Sequence, residues 1–232
     1  MGDGSGGALV RETEQTQMKR NYYFLIAAAM IVATLVVTAL LYPHLPDQIP
    51  EHWNFKGEID HYGSRQSVFM LPGVMAGVLL LFAVLPWLSP KRFEVDTFRS
   101  TSLYIMVLAV ALFAYLHALL LWAALSRPLN MPRSLLGALF FFLILVGNVL
   151  GKVKRNFYIG VRTPWTLASE KVWYATHRFA AKAFVAAGSL GLLSVIIGTP
   201  PAVGLSILIA AALASVIYSL VYYKRLERLG EL

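Results

Sequence analysis

The sequence predicts an all-α, polytopic membrane protein with six transmembrane helices and a short structured extracellular loop. Three observations predict it. Apolar residues make up 58% of the 232-residue chain and charged residues only 14%, against roughly 45–50% and about 25% in soluble domains. Mean hydropathy is +0.64. The apolar residues gather into runs close to the ~20 residues that cross about 30 Å of hydrocarbon. So little charge cannot coat a water-facing surface, which excludes a disordered chain, a nucleic-acid-binding arm and an ordinary soluble enzyme.

Residues 1–21 are polar and Gly-rich and read as a disordered cytoplasmic tail. Lys19 and Arg20 then precede the first apolar run, Tyr22–Tyr42. It is too long for a cleaved leader core of about 7–15 residues and no small-x-small site ends it, so it reads as an uncleaved first span. The first span and the extracellular loop make up 22–67. The second and third spans, Val68–Leu88 and Leu103–Leu125, make up 68–134, with Pro72 and Pro86 near the ends of the second where they cost least. The remaining spans, Leu135–Leu150, Phe179–Ile197 and Ala202–Tyr222, fall in 135–224, with a cytoplasmic loop after the first of them.

Six crossings place both termini on one side, and lysine and arginine decide which. The N-terminal tail (Arg11, Lys19, Arg20), the second loop (Lys91, Arg92, Arg99), the fourth loop with its helix start (Lys152, Lys154, Arg155, Arg162, Lys171, Arg178, Lys182) and the C-terminal tail (Lys224, Arg225, Arg228) hold sixteen cations. The opposite face holds four: Lys56, Arg65, Arg127 and Arg133. This predicts a plasma-membrane (inner-membrane) protein with both termini cytoplasmic. The net charge of +8 is thereby assigned to cytoplasmic loops and anionic lipid headgroups, not to direct nucleic-acid binding.

The outer loop carries prolines at 46 and 50, then His52, Trp53, Asn54, Phe55, Lys56 and Gly57. The prolines favour extended backbone, and Trp53 and Phe55 alternate with His52, Asn54 and Lys56 at a period of two residues. Gly57 supplies a turn, so a hairpin-like cap is expected, its aromatics resting on the bilayer or the bundle. Its histidines (His44, His52, His61) and carboxylates (Asp47, Glu51, Glu58, Asp60) are chemically able to hold zinc, but no ligand spacing is present, so they read as surface or peptide-binding residues and no metal is expected. The chain has no cysteine, so neither a thiolate site nor a disulfide is available.

On the inner side, Thr163-Pro164 fits an N-cap followed by the first helical position, with Thr166 a second N-cap candidate. A helix starting there can run into the fifth span and place Trp173, His177 and Ala181 on one face. Trp165 and Trp173 suit the interfacial belt, and Glu170 is positioned to pair with Arg162 or Lys171. The bland reading of this segment is an interfacial anchor helix; the functional one is a cytoplasmic docking surface or a headgroup site. Within the spans, His117 lies towards the outer side and Asn148 near the inner end of the fourth. A histidine satisfied by a neighbouring helix is the commoner case, and no Asp or Glu occurs inside a span, which argues against a proton-driven pump. Gly73-x-x-x-Gly77 and Gly147-x-x-x-Gly151 permit close helix contacts and are weak evidence for a dimer. No nucleophile elbow, phosphate loop or dinucleotide fingerprint occurs, so neither enzyme activity nor a cofactor is expected.

The run Ile159-Gly160-Val161-Arg162-Thr163-Pro164-Trp165-Thr166-Leu167, with Glu170, Trp173, Arg178 and Lys182 after it, resembles the signature of the SdpI family. Gly147-Asn148 upstream and the closing Tyr222-Tyr223-Lys224 fit it too. The outer-loop run Leu45-Pro46-Asp47-Gln48-Ile49-Pro50, with His52, Trp53, Asn54, Gly57 and Asp60, looks like the small uncharacterised domain that usually precedes it. The resemblance implies a bacterial membrane immunity protein against a secreted peptide toxin, which also signals by holding a cytoplasmic winged-helix repressor at the membrane. It implies toxin contact by Glu51, His52, Trp53, Asn54 and Asp60, and an inner docking or gating motif of Arg162, Thr163, Pro164, Trp165 and Glu170, with Asn148, Asn156 and Trp173 as further binding candidates. No catalytic residue is implied, and no role is carried onto His177. The alternative from a different class is a small-molecule transporter or a lipid-headgroup-acting membrane enzyme, whose polar cavity would join His117 to the outer loop.

Overall fold

The computed structural model describes residues 4–54, 56–90 and 95–232. Its long helices are α1 (Gly4–Leu41), α2 (Met70–Leu88), α3 (Arg99–Ala124), α4 (Met131–Leu150), α6 (Glu170–Ile197) and α7 (Pro201–Leu229). A short helix, α5 (Pro164–Ala168), precedes α6, and a two-stranded antiparallel hairpin of β1 (Gln48–Trp53) and β2 (Ile59–Ser64) lies between α1 and α2. The six long helices are each long and apolar enough to cross a membrane. All six expected spans are present in a multi-pass helical membrane protein. The end carrying the hairpin is called outer below and the opposite end inner, after the charge census.

Several boundaries differ from the sequence reading, and three of them have a clear local reason. The segment expected to be a disordered tail is helical from Gly4 and continuous with the first span. Once the span is helical, each added residue bypasses nucleation and needs only fair propensity, which the Arg11–Lys19 stretch supplies. The fourth span starts at Met131, four positions earlier than expected. Asn130 caps it, its side chain accepting the Arg133 backbone N–H at 3.2 Å, and Pro132 sits in the first turn. The sixth span carries its basic end, Lys224 to Arg228, inside the helix and stops at the left-handed Gly230. Of the cations in the census, Lys91 and Arg92 lie outside the described residues, as does Phe55 of the outer loop.

The helices pack as α1–α2–α3 and α4–α6–α7, with α3 also lying against α4. Ala27, Met75, Met106 and Val110 fill the first cluster. The second is closed by glycines around Phe140, which is fully buried. A Cβ at Gly191 would lie 2.4 Å from the Phe140 ring, one at Gly204 2.7 Å from its tip, and one at Gly188 2.7 Å from its carbonyl oxygen. Small residues let helix backbones approach where lipid supplies no hydrophobic drive for association. The Gly147 motif is used inside the chain: a Cβ there would meet Val185 and the Ala181 carbonyl at 3.0–3.1 Å. Gly73 and Gly77 meet nothing within 4 Å. Leu25, Leu80, Ile196, Ile209 and Ile217 point outward, as expected where hydrocarbon is the solvent.

Candidate functional site

The outer hairpin is held down before it is shaped for binding. Leu45, Ile49 and Val68 bury against Leu121 and Ala124 near the end of α3. Arg65 lies 5.0 Å above the Tyr42 ring, pairs with Asp47 at 3.3 Å, and its backbone N–H donates to the Asp47 carbonyl. At the tip, the Asn54 carboxamide oxygen accepts the N–H groups of Lys56 and Glu58, and its Nδ2 donates to the Glu58 carboxylate at 2.8 Å. Gly57 takes φ +85° and sits over Pro132 of α4, so the tip rests on the bundle. Asn54 is thus a turn-forming residue that also lines the site described next.

Strict alternation would place Trp53 on the opposite face from His52 and Asn54. The strands do not keep strict register: pairing shifts on both sides of His52. Such a bulge bends the strand and re-aims side chains. As a result His52, Trp53, Asn54 and Asp60 all line one cleft of ≈ 360 Å³, whose opposite wall is Pro132, Leu135 and Leu136 of α4 with Pro201 and Leu205 of α7. His52 Nδ1 and the Asp60 carboxylate are 2.6 Å apart at its edge. Glu51 is not in the cleft. Its carboxylate lies over Gly63, where a Cβ would come within 1.8 Å of Oε1, and sits 3.7 Å from His61. A second cavity of ≈ 250 Å³ shares Pro132, Leu136 and Pro201 with the first and presents Lys56 and Arg133. His52 and His61 thus serve separate carboxylates, and no group of three or more His, Asp or Glu converges among the described residues.

The inner motif folds into a compact turn around two buried side chains. Asn156 is fully buried. Its oxygen accepts the N–H groups of Tyr158 and Ile159, both at 2.7 Å, and its Nδ2 donates to the carbonyls of Lys154 and Ile159. That uses the full donor and acceptor capacity of the amide. His177 is the second centre. Its Nε2 accepts the Val161 N–H at 3.1 Å, and because that donor is backbone, Nδ1 must carry the proton given to the Trp173 carbonyl at 2.8 Å. Gly160, at φ +114°, passes so close that a Cβ would lie 2.1 Å from Nε2. Trp173 stacks on the imidazole at 4.0 Å and donates its indole N–H to the Val153 carbonyl at 2.7 Å.

Thr163 caps α5 as expected, but Thr166 is its reciprocal partner in a capping box and not a second N-cap. The helix begun at Pro164 does not run on into the fifth span: Ser169 is extended (φ −132°, ψ 128°) and α6 starts afresh at Glu170. The Thr163 hydroxyl also meets that of Ser219 on α7 at 3.0 Å. Arg155 donates to the Leu167 carbonyl, Arg162 to that of Phe157, and the Tyr158 hydroxyl to the Leu88 carbonyl at the end of α2. Lys171 pairs with Glu231 and Arg162 with the Phe157 carbonyl, in place of the expected pairing of one of them with Glu170.

The motif residues therefore divide by exposure. Asn156, Thr163 and Trp173 are buried and shape the turn; Arg162, Pro164 and Glu170 are exposed, and Trp165 is half-buried. Asn148 is exposed on α4. His177, to which sequence reading attached no role, is central to the turn; its four-residue spacing from Trp173 was the available signal. His117 is buried and its Nε2 bonds the Thr38 hydroxyl of α1 at 2.7 Å, the neighbouring-helix contact expected of a lone span histidine, while its buried Nδ1 has no hydrogen-bond partner. It lines neither outer cavity, so the polar passage required by the transporter or headgroup-enzyme alternative does not run from it.

Fold and sites define a six-span helical membrane protein with an outer hairpin cap and an inner Thr-Pro-Trp turn, the two connected by α7. Comparison with known proteins agrees. Residues 152–223 match the SdpI/YfhL protein family and residues 29–76 match a domain of unknown function, DUF1648. The chain carries an SdpI-family region behind a DUF1648 region, as the motifs indicated. It is similar to the immunity protein SdpI of Bacillus subtilis (strain 168), with 28% identity over 212 residues, 90% of this chain and 99% of that protein. No solved structure matches.

Proposed function

We propose that this chain is a non-enzymatic membrane immunity protein that takes a secreted peptide toxin in the outer cleft and passes its occupancy to the inner turn. The observation that carries this reading is the cleft itself. It faces polar His52, Asn54 and Asp60 across from apolar Leu135, Leu136 and Leu205, a pairing suited to an amphipathic peptide segment arriving at the membrane surface. The similarity to a protein named for immunity supports it. Helix α7 supplies the connection. Leu205 lines the cleft and Ser219 bonds Thr163 in the inner turn, about 21 Å further along the helix at ~1.5 Å per residue. A peptide that binds better to one placement of α7 shifts the population of that placement, and the turn follows. The exposed Arg162, Pro164 and Glu170 then present a changed surface to a cytoplasmic repressor.

The test fills the cleft. Leu205→Trp should remove protection in a toxin-challenge assay while membrane level stays normal. A photo-crosslinking residue at Leu136 should capture the toxin in the parent and not in the filled variant. Full protection by the filled variant would overturn the assignment.

A further inference from the structure

A cavity of ≈ 380 Å³ lies at the inner end of α1, α2 and α3, apart from both sites above. Arg20 stands at the start of the α1 span and Arg99 at the start of the α3 span, and both line it. Asn21 and the buried hydroxyl-bearing Ser102 add neutral hydrogen-bonding groups, while Phe24 and Phe82 form an apolar wall. Both arginines are only half exposed, so the charge is set into the bundle and not spread over its surface. The first turn of α3 contributes Arg99, Ser102 and Leu103, which brings the positive end of that helix dipole to the same place.

We infer that this cavity is a binding site for the phosphate headgroup of an anionic membrane phospholipid, seated between α1 and α3. Arginine guanidinium groups match phosphate oxygens in geometry and keep N–H donors to spare beside a first partner. The asparagine and serine suit the hydroxyls of a glycerol headgroup. The aromatic wall is where an acyl chain descends from a phosphate held at the span ends, which favours a lipid over a free anion. A basic pocket between spans at the end of a membrane helix is a recognised form of headgroup selection. The lipid would wedge the α1–α2–α3 cluster from its inner side.

The test is native mass spectrometry of the full-length chain in a neutral detergent, offered equal phosphatidylglycerol and phosphatidylethanolamine. The parent should retain phosphatidylglycerol with a preference of roughly tenfold or more, and Arg20→Gln/Arg99→Gln should reduce that to near parity. The charge-retaining Arg20→Lys/Arg99→Lys should recover part of it, which separates headgroup binding from a folding defect. Lys224→Gln/Arg225→Gln, which removes the same charge from the end of α7, should leave the preference unchanged. Equal retention of the two lipids by the parent, or equal losses in both Gln pairs, would overturn the proposal. Thermal stabilisation by inorganic phosphate equal to that by phosphatidylglycerol would overturn the lipid assignment.

Discussion

Asn156 and Gly160 show how much of the inner signature serves the fold. Asn156→Ala leaves the N–H groups of Tyr158 and Ile159 without their acceptor. Orphaning buried donors costs about 1–3 kcal/mol each before any relaxation, so thermal unfolding in detergent should show a loss of roughly 2–4 kcal/mol. Gly160→Ala adds a Cβ into His177 Nε2 at a backbone conformation that disfavours side chains. It should displace the Val161–His177 bond and expose the Trp173 indole, read as a red shift of tryptophan emission. Trp165 differs from both. It is half-buried and belongs to the rim that a partner can touch, so Trp165→Ala should abolish protection in toxin challenge while membrane insertion and melting remain close to the parent. Full protection by this variant would refute the proposed docking role of Trp165.

At the scale of elements, the break at Ser169 matters most. It lets α5 lie separately from α6 while Thr163 reaches α7. Thr163→Val removes both the cap and the Ser219 contact. Loss of a threonine N-cap costs about 0.5–2 kcal/mol, too little to unfold a six-helix protein, so the chain should still reach the membrane. Protection should fall if α7 carries the signal, and toxin crosslinking at the outer cleft should persist. The hairpin is the other informative element. Its existence was legible in Pro46, Pro50 and Gly57, each of which restricts or frees the backbone locally. Its facing was not. The register shifts at His52 interrupt the two-residue period, so the expected alternation of Trp53 against His52 and Asn54 gives way to a shared cleft. Helix starts followed the same logic. Asn130 with Pro132 is a start signal readable in the sequence, and it sets the fourth span four positions ahead of the expected Leu135.

Over the whole molecule, orientation is the quantity that the proposed relay requires. Because the chain has no cysteine, single introduced cysteines report on it directly. An impermeant maleimide added to intact cells should label Lys56→Cys in the cap and not Lys154→Cys in the inner turn; the reverse pattern would place the cleft in the cytosol and sink the toxin assignment. The sequence by itself determined the number of spans, the charge asymmetry between the two faces and the presence of a cap. These depend on transfer free energies and propensities that act on each segment alone. Only the tertiary structure decided which motif residues are buried and which are open, and that α7 connects cleft to turn. His177 meets Gly160, Ser219 meets Thr163 and Leu205 meets Trp53's cleft across long stretches of chain. Such meetings follow from helix packing around Phe140 and its glycines, a property of several segments together that no single segment encodes.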